Sequence, residues 1–246
     1  MKSLIFFFFS FFFSFSQVKT MKATYSIKII ENEALKDMPK HLKEIYYSEN
    51  SIAENLKPTL YFNDTISEYF LEENVIDSKI AVAVFCECSK PIYTFNEKRI
   101  NLKYNPNYNI IGINENQYVI EDSLKSNWIT TNESKIIENF KVFKATQKNK
   151  YKTRTKEITK TIVAWYCPEI QYNFGPKGYG GLPGLIIELQ DENTIIGLTS
   201  LKEANHFFDC RELILSKNKI TSEKLNEKIN ESHNGLSNEI KNKEKQ

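Results

Sequence analysis

The sequence predicts a mainly β protein (α+β) built on an antiparallel sheet with one or two small helices. The first observation behind this prediction is that apolar and polar side chains alternate in successive runs, as they do in half-buried strands. The second is that short turn signals join these runs, which favours antiparallel neighbours over the long crossovers of a parallel sheet. The third is a glycine- and proline-rich stretch, residues 174–189, that leads into another strand-like run.

The shorter predicted elements come first along the chain. Residues 22–31 are predicted as the opening strand. Residues 38–56 are predicted as a helix, because their apolar side chains are spaced to share one face. Residues 58–72 are predicted as a hairpin, since two apolar runs flank an Asn-Asp turn signal. Further strands are predicted at 79–88, 118–122 and 139–147.

The clearest alternation lies between residues 151 and 201. We predict residues 151–167 as one long extended strand, because threonine, valine and tryptophan recur there at every second position. Residues 185–201 are predicted as a hairpin with its connection at 191–193. The glycine-proline stretch therefore lies between two predicted strands.

The two ends of the chain differ from the middle. Residues 1–16 combine a positive start, a phenylalanine-rich apolar run and small residues before a predicted cut after Ser16, which is the build of a cleaved signal peptide. The apolar run is shorter than a bilayer-spanning helix requires. Residues 17–216 are predicted as a single domain and 217–246 as a polar, charged tail with little apolar area to bury. We therefore expect an exported protein, located in the periplasm or secreted.

The charge balance argues against one common class of partner. The chain has 33 Lys and Arg against 31 Asp and Glu, a net charge of +2, and removal of Lys2 with the signal peptide lowers this from +2 to +1. Proteins that bind nucleic acid usually present a clustered basic face. No nucleic-acid partner is predicted.

The four cysteines are Cys86, Cys88, Cys167 and Cys210. Export exposes them to oxidising conditions, and four cysteines allow three pairings. Cys86 and Cys88 lie two positions apart in a predicted strand and face the same side, so they are not expected to bond each other. The alternatives are a disulfide to Cys167 or Cys210, buried free thiols, or a soft-metal site completed by Cys210 or His206, because thiolates select soft metals.

Motifs of the common catalytic classes are absent from the sequence. It contains no G-x-S-x-G, no H-E-x-x-H and no C-x-x-C. Of the three histidines, His206 with Asp209 is the sequence-local candidate for a hydrolase site. No catalytic residue and no cofactor are predicted, and the protein is expected not to be an enzyme. The alternative is a metal-handling protein or hydrolase whose site is assembled from distant segments.

The stretch 174–189, FGPKGYGGLPGLIIEL, holds five of the eight glycines. It lacks the Gly-Lys-Ser/Thr of a phosphate loop, and strand periodicity follows it where a nucleotide-binding loop would be followed by a helix. We interpret it as a structural connection between strands. Pro183 and Gly184 fit the central positions of a type II turn, and Gly180 and Gly181 permit close backbone approach.

The same stretch carries a family resemblance. The letters GLPGLI, preceded by AWYCPEI at 164–170 and WITTNESKIIENFKVFKAT at 128–146, resemble the GLPGLI family of exported Bacteroidota proteins, although Gln171 and Asn139 depart from its usual pattern. The resemblance implies a half-open barrel of antiparallel sheet, like periplasmic lipoprotein carriers, and an association with outer-membrane receptors that depend on the TonB system. It brings no activity that can be transferred. The motif residues are Gly181, Leu182, Pro183, Gly184, Leu185 and Ile186.

These observations together predict an exported periplasmic binding or accessory protein without catalytic activity. Its expected partners are components of a TonB-dependent outer-membrane receptor or an apolar ligand, because aromatic side chains on a curved sheet can line an apolar cavity. Thr65 and Ser123, each between an aspartate and an aliphatic residue, resemble acceptors of periplasmic O-glycosylation.

Overall fold

The computed structural model describes most of the region between the two ends of the chain. The described residues are 19–31, 36–71, 98–102, 107–113, 116–122, 126–152, 157–191, 193–210, 213, 218–221 and 224. The predictions that lie outside them concern the signal peptide, the strand at 79–88, Cys86, Cys88, Ser123 and most of the polar tail.

Twelve strands and one α-helix are found in the described residues, which confirms the mainly β fold class. The predicted helix, the predicted hairpin at 58–72 and the hairpin after the glycine-proline stretch are all present. The elements are β1 (Met21–Ile29), α1 (Lys40–Asn55), β2 (Pro58–Phe62), β3 (Ile66–Leu71), β4 (Lys98–Leu102), β5 (Asn107–Ile113), β6 (Asn116–Asp122), β7 (Ile129–Ile137), β8 (Phe140–Lys152), β9 (Glu157–Cys167), β10 (Leu185–Asp191), β11 (Thr194–Glu203) and β12 (Lys219–Ile220).

The strands form one open sheet in the order β12-β6-β5-β4-β3-β2-β1-β11-β10-β9-β8-β7. All neighbours are antiparallel except β12, which runs parallel to β6 and comes from the segment predicted as the tail. The first strand joins the two halves, because β1 pairs with β2 on one side and with β11 on the other. Since β7 and β12 lie at opposite edges, the sheet is not a closed barrel.

The sheet is nevertheless strongly curved, and the segment between β9 and β10 shows this. We call residues 168–184 the connection. A Cβ placed on Gly178 would lie 3.2 Å from Cδ of Arg99 on β4, while the next residue, Tyr179, accepts a hydrogen bond from Asn149 on β8 at 3.2 Å. Seven strand-to-strand steps separate β4 from β8, a distance of about 34 Å in a flat sheet. Two adjacent residues can contact both strands only because the sheet bends around the connection.

The curvature gives the sheet a concave face, which holds the connection, and an outer face. The larger core cluster lies on the concave face and includes Tyr25, Phe62, Phe174 and Tyr179. The hydroxyl of Tyr25 is fully buried and donates to the carbonyl of Ile186 at 3.0 Å, which ties β1 to the start of β10. A smaller cluster covers the outer face of β3 to β6, and its members are Ile66, Ile100, Ile110, Val119 and Leu213.

The single long strand predicted at 151–167 is wrong. The strand β8 ends at Lys152, β9 begins at Glu157, and these two residues face each other in an antiparallel pair. The alternation of threonine with charged residues continues through 153–156 without glycine, proline or asparagine. Periodicity therefore contained no signal for the end of one strand and the start of the next.

The predicted type II turn at 182–185 also differs from the structure. The amide of Gly184 donates to the carbonyl of Leu182 at 2.8 Å, which closes a three-residue γ-turn around Pro183. The amide of Leu185 donates to the carbonyl of Ile170 at 3.0 Å. A bond to the other end of the connection therefore takes the donor that a type II turn would have used.

Glycine is required at position 184 for two reasons. Its φ of +149° is in a region that side chains rarely adopt. A Cβ there would also lie 2.1 Å from the carbonyl oxygen of Cys167, closer than any non-bonded contact allows. The start of β10 can therefore approach the end of β9 only with glycine at this position.

None of the described residues forms a helix with the length and apolarity that crossing a bilayer requires.

Replacing Gly184 by alanine should destabilise the fold. The added methyl group would force the backbone of Cys167 away, so we expect Gly184→Ala to lower the free energy of unfolding by more than about 2 kcal/mol in urea titrations. Gly197 on β11 is the matched control, because a Cβ there meets no atom within 4 Å, and Gly197→Ala should change it by less than about 0.5 kcal/mol. Equal effects of the two variants would contradict the close approach.

Candidate functional site

A groove of about 420 Å³ runs along the connection and the β2–β3 turn. This volume is in the range of small-molecule sites. Its walls combine the two ends of the connection with one acidic residue of the turn. The lining residues are Asp64, Pro168, Gln171, Tyr172, Asn173, Phe174, Leu182, Pro183 and Gly184.

The groove combines a fixed aromatic wall with polar side chains. Tyr172 packs edge-to-face on Phe62 of β2, with ring centroids 4.8 Å apart, and this contact holds its ring in place. Gln171 and Asp64 are exposed, so their amide and carboxylate groups are available to a ligand. An apolar surface with a few converging polar groups is typical of a binding site.

A row of polar side chains lies on the concave face beside this groove. Ser67, Asn101 and Asn107 lie directly opposite one another on β3, β4 and β5. Asn109 is the next residue on the same face of β5. We call these four residues the polar row. The row is close to the groove, because Phe62, which packs on the groove residue Tyr172, is the residue opposite Ser67 on β2.

The polar row is buried, and several of its atoms have no hydrogen-bond partner. The unpartnered atoms are Ser67 Oγ, Asn101 Nδ2, Asn107 Nδ2, Asn107 Oδ1 and Asn109 Oδ1. Each buried unpartnered polar group costs on the order of 1–3 kcal/mol. Gln147 Oε1, on β8, is in the same condition, while the amide nitrogen of that residue donates to Asn149 at 2.6 Å. The concave face therefore carries both hydrogen-bond donors and hydrogen-bond acceptors that are buried without a partner.

The turn Pro176–Gly178 lies over this row. A Cβ on Gly178 would meet Arg99 at 3.2 Å and Asn101 Oδ1 at 3.8 Å. Lys177 has a φ of +55°, which is uncommon for a residue other than glycine. Its ammonium group binds Asp191 Oδ2 at 2.9 Å. The turn is thus a strained segment held by a half-buried ion pair, directly above the row.

A second polar group lies on the outer face, around Glu68 of β3. This carboxylate is almost fully buried, and its two oxygens bind different partners: Lys98 Nζ on β4 and His206 Nε2 in the segment after β11. The ring of His206 stacks on Tyr61 with centroids 3.9 Å apart and an interplanar angle of 9°. Phe208 contacts the same imidazole edge-to-face at 4.9 Å. These contacts fasten the segment after β11 to the outer face.

Sequence reasoning missed this contact. It paired His206 with Asp209 because they are neighbours in the chain, whereas Glu68 lies 138 residues away. No local signal connects residues so far apart, because the pairing depends on where the segment after β11 crosses the sheet. Among the residues that the structure describes, the hydrogen bond of His206 goes to Glu68 and not to a serine, threonine or cysteine.

The cysteines in the described residues are free thiols. Cys167 is buried at the end of β9, and Cys210 is half-buried in the segment after β11. Burial and the nearby Glu68 carboxylate raise the pKa of Cys210, which is the opposite of what a reactive or metal-binding thiol requires. Within the described parts of the chain, no three His, Cys, Asp or Glu side chains are arranged to hold a metal ion. The proposed partners Cys86 and Cys88 lie outside those parts.

The remaining predicted site residues have structural surroundings. Thr65 is exposed in the β2–β3 turn, where its hydroxyl donates to Asn63 Oδ1 at 2.9 Å. Leu182 and Ile186 are buried in the core around the connection, and Leu182 also lines the groove together with Pro183 and Gly184. The large aromatic residues fill the core of the concave face, and Tyr172 and Phe174 also border the groove.

Residues 131–188 match the model of a Bacteroidota-associated family described as "Protein of unknown function (Porph_ging)". The match begins in β7 and ends in β10. It therefore includes the whole connection and the strands β8 and β9 that precede it. No curated protein matches the sequence.

Two crystal forms of PNGF-II resemble the fold. The structure in space group C2 is 17% identical with a TM-score of 0.54, and the structure in space group P21 is 16% identical with a TM-score of 0.55. Each match covers 87% of this chain. The chain spans about one third of the length of PNGF-II, 33% and 34% in the two structures. At this identity the likeness shows the fold alone.

Neutralising Glu68 should destabilise the protein strongly. Glu68→Gln would leave Lys98 and His206 without their shared carboxylate, so we expect the free energy of unfolding to fall by about 3 kcal/mol. The matched control is Glu133→Gln, since Glu133 pairs with Lys144 at 2.9 Å but is 59% exposed, and its loss should cost less than about 1 kcal/mol. Chemical denaturation of both variants makes the comparison. A loss at Glu68 no larger than that at Glu133 would mean that the buried contact is not structural.

Cys210 should react slowly with alkylating reagents at neutral pH. Burial and Glu68 disfavour its thiolate and raise its pKa, so the rate should increase only as the pH rises above the ordinary range for a thiol. Removing the charge in Glu68→Gln lowers that pKa and should speed the reaction at a fixed pH. Asp209→Asn is the control with a smaller effect, because the charge of Asp209 contributes less. Peptide mapping after timed iodoacetamide treatment gives the rates; fast wild-type labelling at neutral pH would contradict the raised pKa.

Proposed function

We propose that this protein is an exported periplasmic binding protein without catalytic activity and that its ligand lies in the groove beside the connection. The observation that carries this proposal is the convergence of Tyr172, Gln171 and Asp64 on one groove of about 420 Å³. Such a combination of a fixed aromatic ring and exposed polar groups can hold a ligand by contact and hydrogen bonding.

Export and location rest on the chain's first residues. The positive start, the apolar run and the small residues of 1–16 support a cleaved signal peptide. The letters GLPGLI support membership of the GLPGLI family, and with it an accessory role beside a TonB-dependent outer-membrane receptor. In that role the groove would face the periplasm and take a molecule handled by the receptor.

The chemistry of the outer face supports binding over catalysis. Both oxygens of Glu68 are engaged by Lys98 and His206, so this carboxylate is not free to act as a base toward a substrate. The raised pKa of Cys210 keeps its thiol protonated. In the part of the chain that the structure describes, His206 and Cys210, which a hydrolase or a soft-metal site would use, therefore act as structural contacts.

Filling the groove should abolish ligand retention without disturbing the fold. Gln171 is exposed and lines the groove, so Gln171→Trp places a large ring in the space that the ligand would occupy. Native mass spectrometry of the full chain, purified from its host periplasm, should show a bound mass on the wild type and none on this variant. The control is Glu169→Trp, two residues away and exposed but not part of the groove, which should retain the mass.

Two results would contradict this function. One is a wild-type protein that carries no bound mass and shows no thermal shift with any periplasmic extract. The other is hydrolysis of a peptide, ester or glycoside by the wild type that disappears in His206→Ala, since that would assign the outer-face group to catalysis.

A further inference from the structure

The polar row has hydrogen-bonding needs of both kinds. Its unpartnered donors are the amide nitrogens of Asn101 and Asn107, and its unpartnered acceptors are the amide oxygens of Asn107 and Asn109. The hydroxyl of Ser67 can serve as either. Reversing the orientation of an asparagine amide exchanges its nitrogen and oxygen, so Asn107, with both atoms unpartnered, offers a donor and an acceptor in either orientation.

The mixture of unpartnered donors and acceptors indicates which class of ligand could bind to the polar row. An anion offers only acceptors and would leave the amide oxygens unpaired, whereas a cation ligates oxygens and would leave the amide nitrogens unpaired. An apolar molecule would leave every one of these groups unpaired and buried. A hydroxyl group both donates and accepts at one atom, so neighbouring hydroxyls on a ring match alternating donors and acceptors on neighbouring strands.

We infer that the polar row is the inner part of the ligand site and that the ligand is a neutral, hydroxyl-rich molecule of the carbohydrate class. This inference rests on the proposed binding function and names its ligand. The row lies next to the groove, since Ser67 is opposite Phe62 on β2 and Phe62 packs on Tyr172. The ring of Tyr172 provides the apolar surface that the face of a sugar ring requires.

Access to the row depends on the turn Pro176–Gly178. This turn covers Arg99 and Asn101, and a residue at positive φ, Lys177, forms its centre. Its ion pair with Asp191 is 24% exposed on the lysine side and 17% on the aspartate side, so solvent weakens it relative to a buried pair. A ligand entering from the groove therefore displaces this strained turn rather than a strand of the sheet.

Asn107→Leu gives the sharpest test, because both polar atoms of the Asn107 side chain are unpartnered. Leucine has a similar shape and needs no hydrogen bond, so the ligand-free variant should have a higher Tm than the wild type. Thermal shift with glucose, galactose, mannose and N-acetylglucosamine should raise the Tm of the wild type with at least one sugar. The variant should bind that sugar roughly tenfold more weakly by calorimetry.

Two further variants complete the design. Ser67→Ala removes one hydroxyl without adding volume and should also weaken the sugar, which keeps the test decisive if Asn107→Leu does not fold. Asn132→Leu on β7 is the matched control, since this asparagine is exposed on an edge strand, and it should leave the sugar response unchanged.

The outcomes separate this inference from the proposed function. A wild type that responds to no sugar, but carries a lipid or peptide that Gln171→Trp removes, overturns the inference and leaves the binding function in place. A lower Tm for ligand-free Asn107→Leu overturns it as well, because the amide would then be satisfied by buried water alone. A sugar response lost in Asn107→Leu and kept in Asn132→Leu supports it.

Discussion

The fold depends on one constraint: the connection between β9 and β10 has to contact β4 and β8 at the same time. These strands are seven steps apart in the sheet, so the sheet must curve until both reach the connection. Close packing at three glycines makes this possible. A Cβ would meet the side chain of Ile186 at Gly175, Arg99 at Gly178 and the carbonyl of Cys167 at Gly184. The stretch is therefore rich in glycine because it lies so close to the sheet that a side chain at these positions would collide with its neighbours.

Much of the fold could be predicted because it depends on local patterns. The helix over Lys40–Asn55 and the β2–β3 and β10–β11 hairpins each carry a period or a turn signal within a few residues. The boundary between β8 and β9 carries none, since alternation continues across residues 153–156. The turn at Gly184 was mispredicted for a different reason. The proline and glycine correctly predicted a bend there. The type of turn was wrong because the amide of Leu185 donates to the carbonyl of Ile170, at the other end of the connection.

Little in the sequence indicated the candidate site or the outer-face contact, because both depend on how distant segments come together on the curved sheet. Asn101, Asn107 and Asn109 alternate along β4 and β5 in the way that normally marks a solvent-facing side. They are buried here, and the connection lies against Asn101 on that side. A signal existed in the asparagine-rich run at 101–109, but nothing local distinguishes a polar face toward water from a polar face toward a ligand. The contact between Glu68 and His206 had no local signal at all.

Two groups of buried polar side chains lie on the opposite faces of β3 to β5. Both need hydrogen-bond or ion-pair partners, and they differ in whether the chain provides them. A buried carboxylate must be paired, and the two oxygens of Glu68 have Lys98 and His206, so the outer face is satisfied by the chain itself. The polar row is neutral and its cost per group is smaller, on the order of 1–3 kcal/mol. Several such groups together are nevertheless comparable to the whole stability of a domain, about 5–15 kcal/mol. These unpartnered groups destabilise the fold, and they lie together beside a groove. Sites at which a protein keeps such destabilising features are often functional sites. The concave face, rather than the outer face with its histidine and cysteine, is therefore where we propose that the ligand binds.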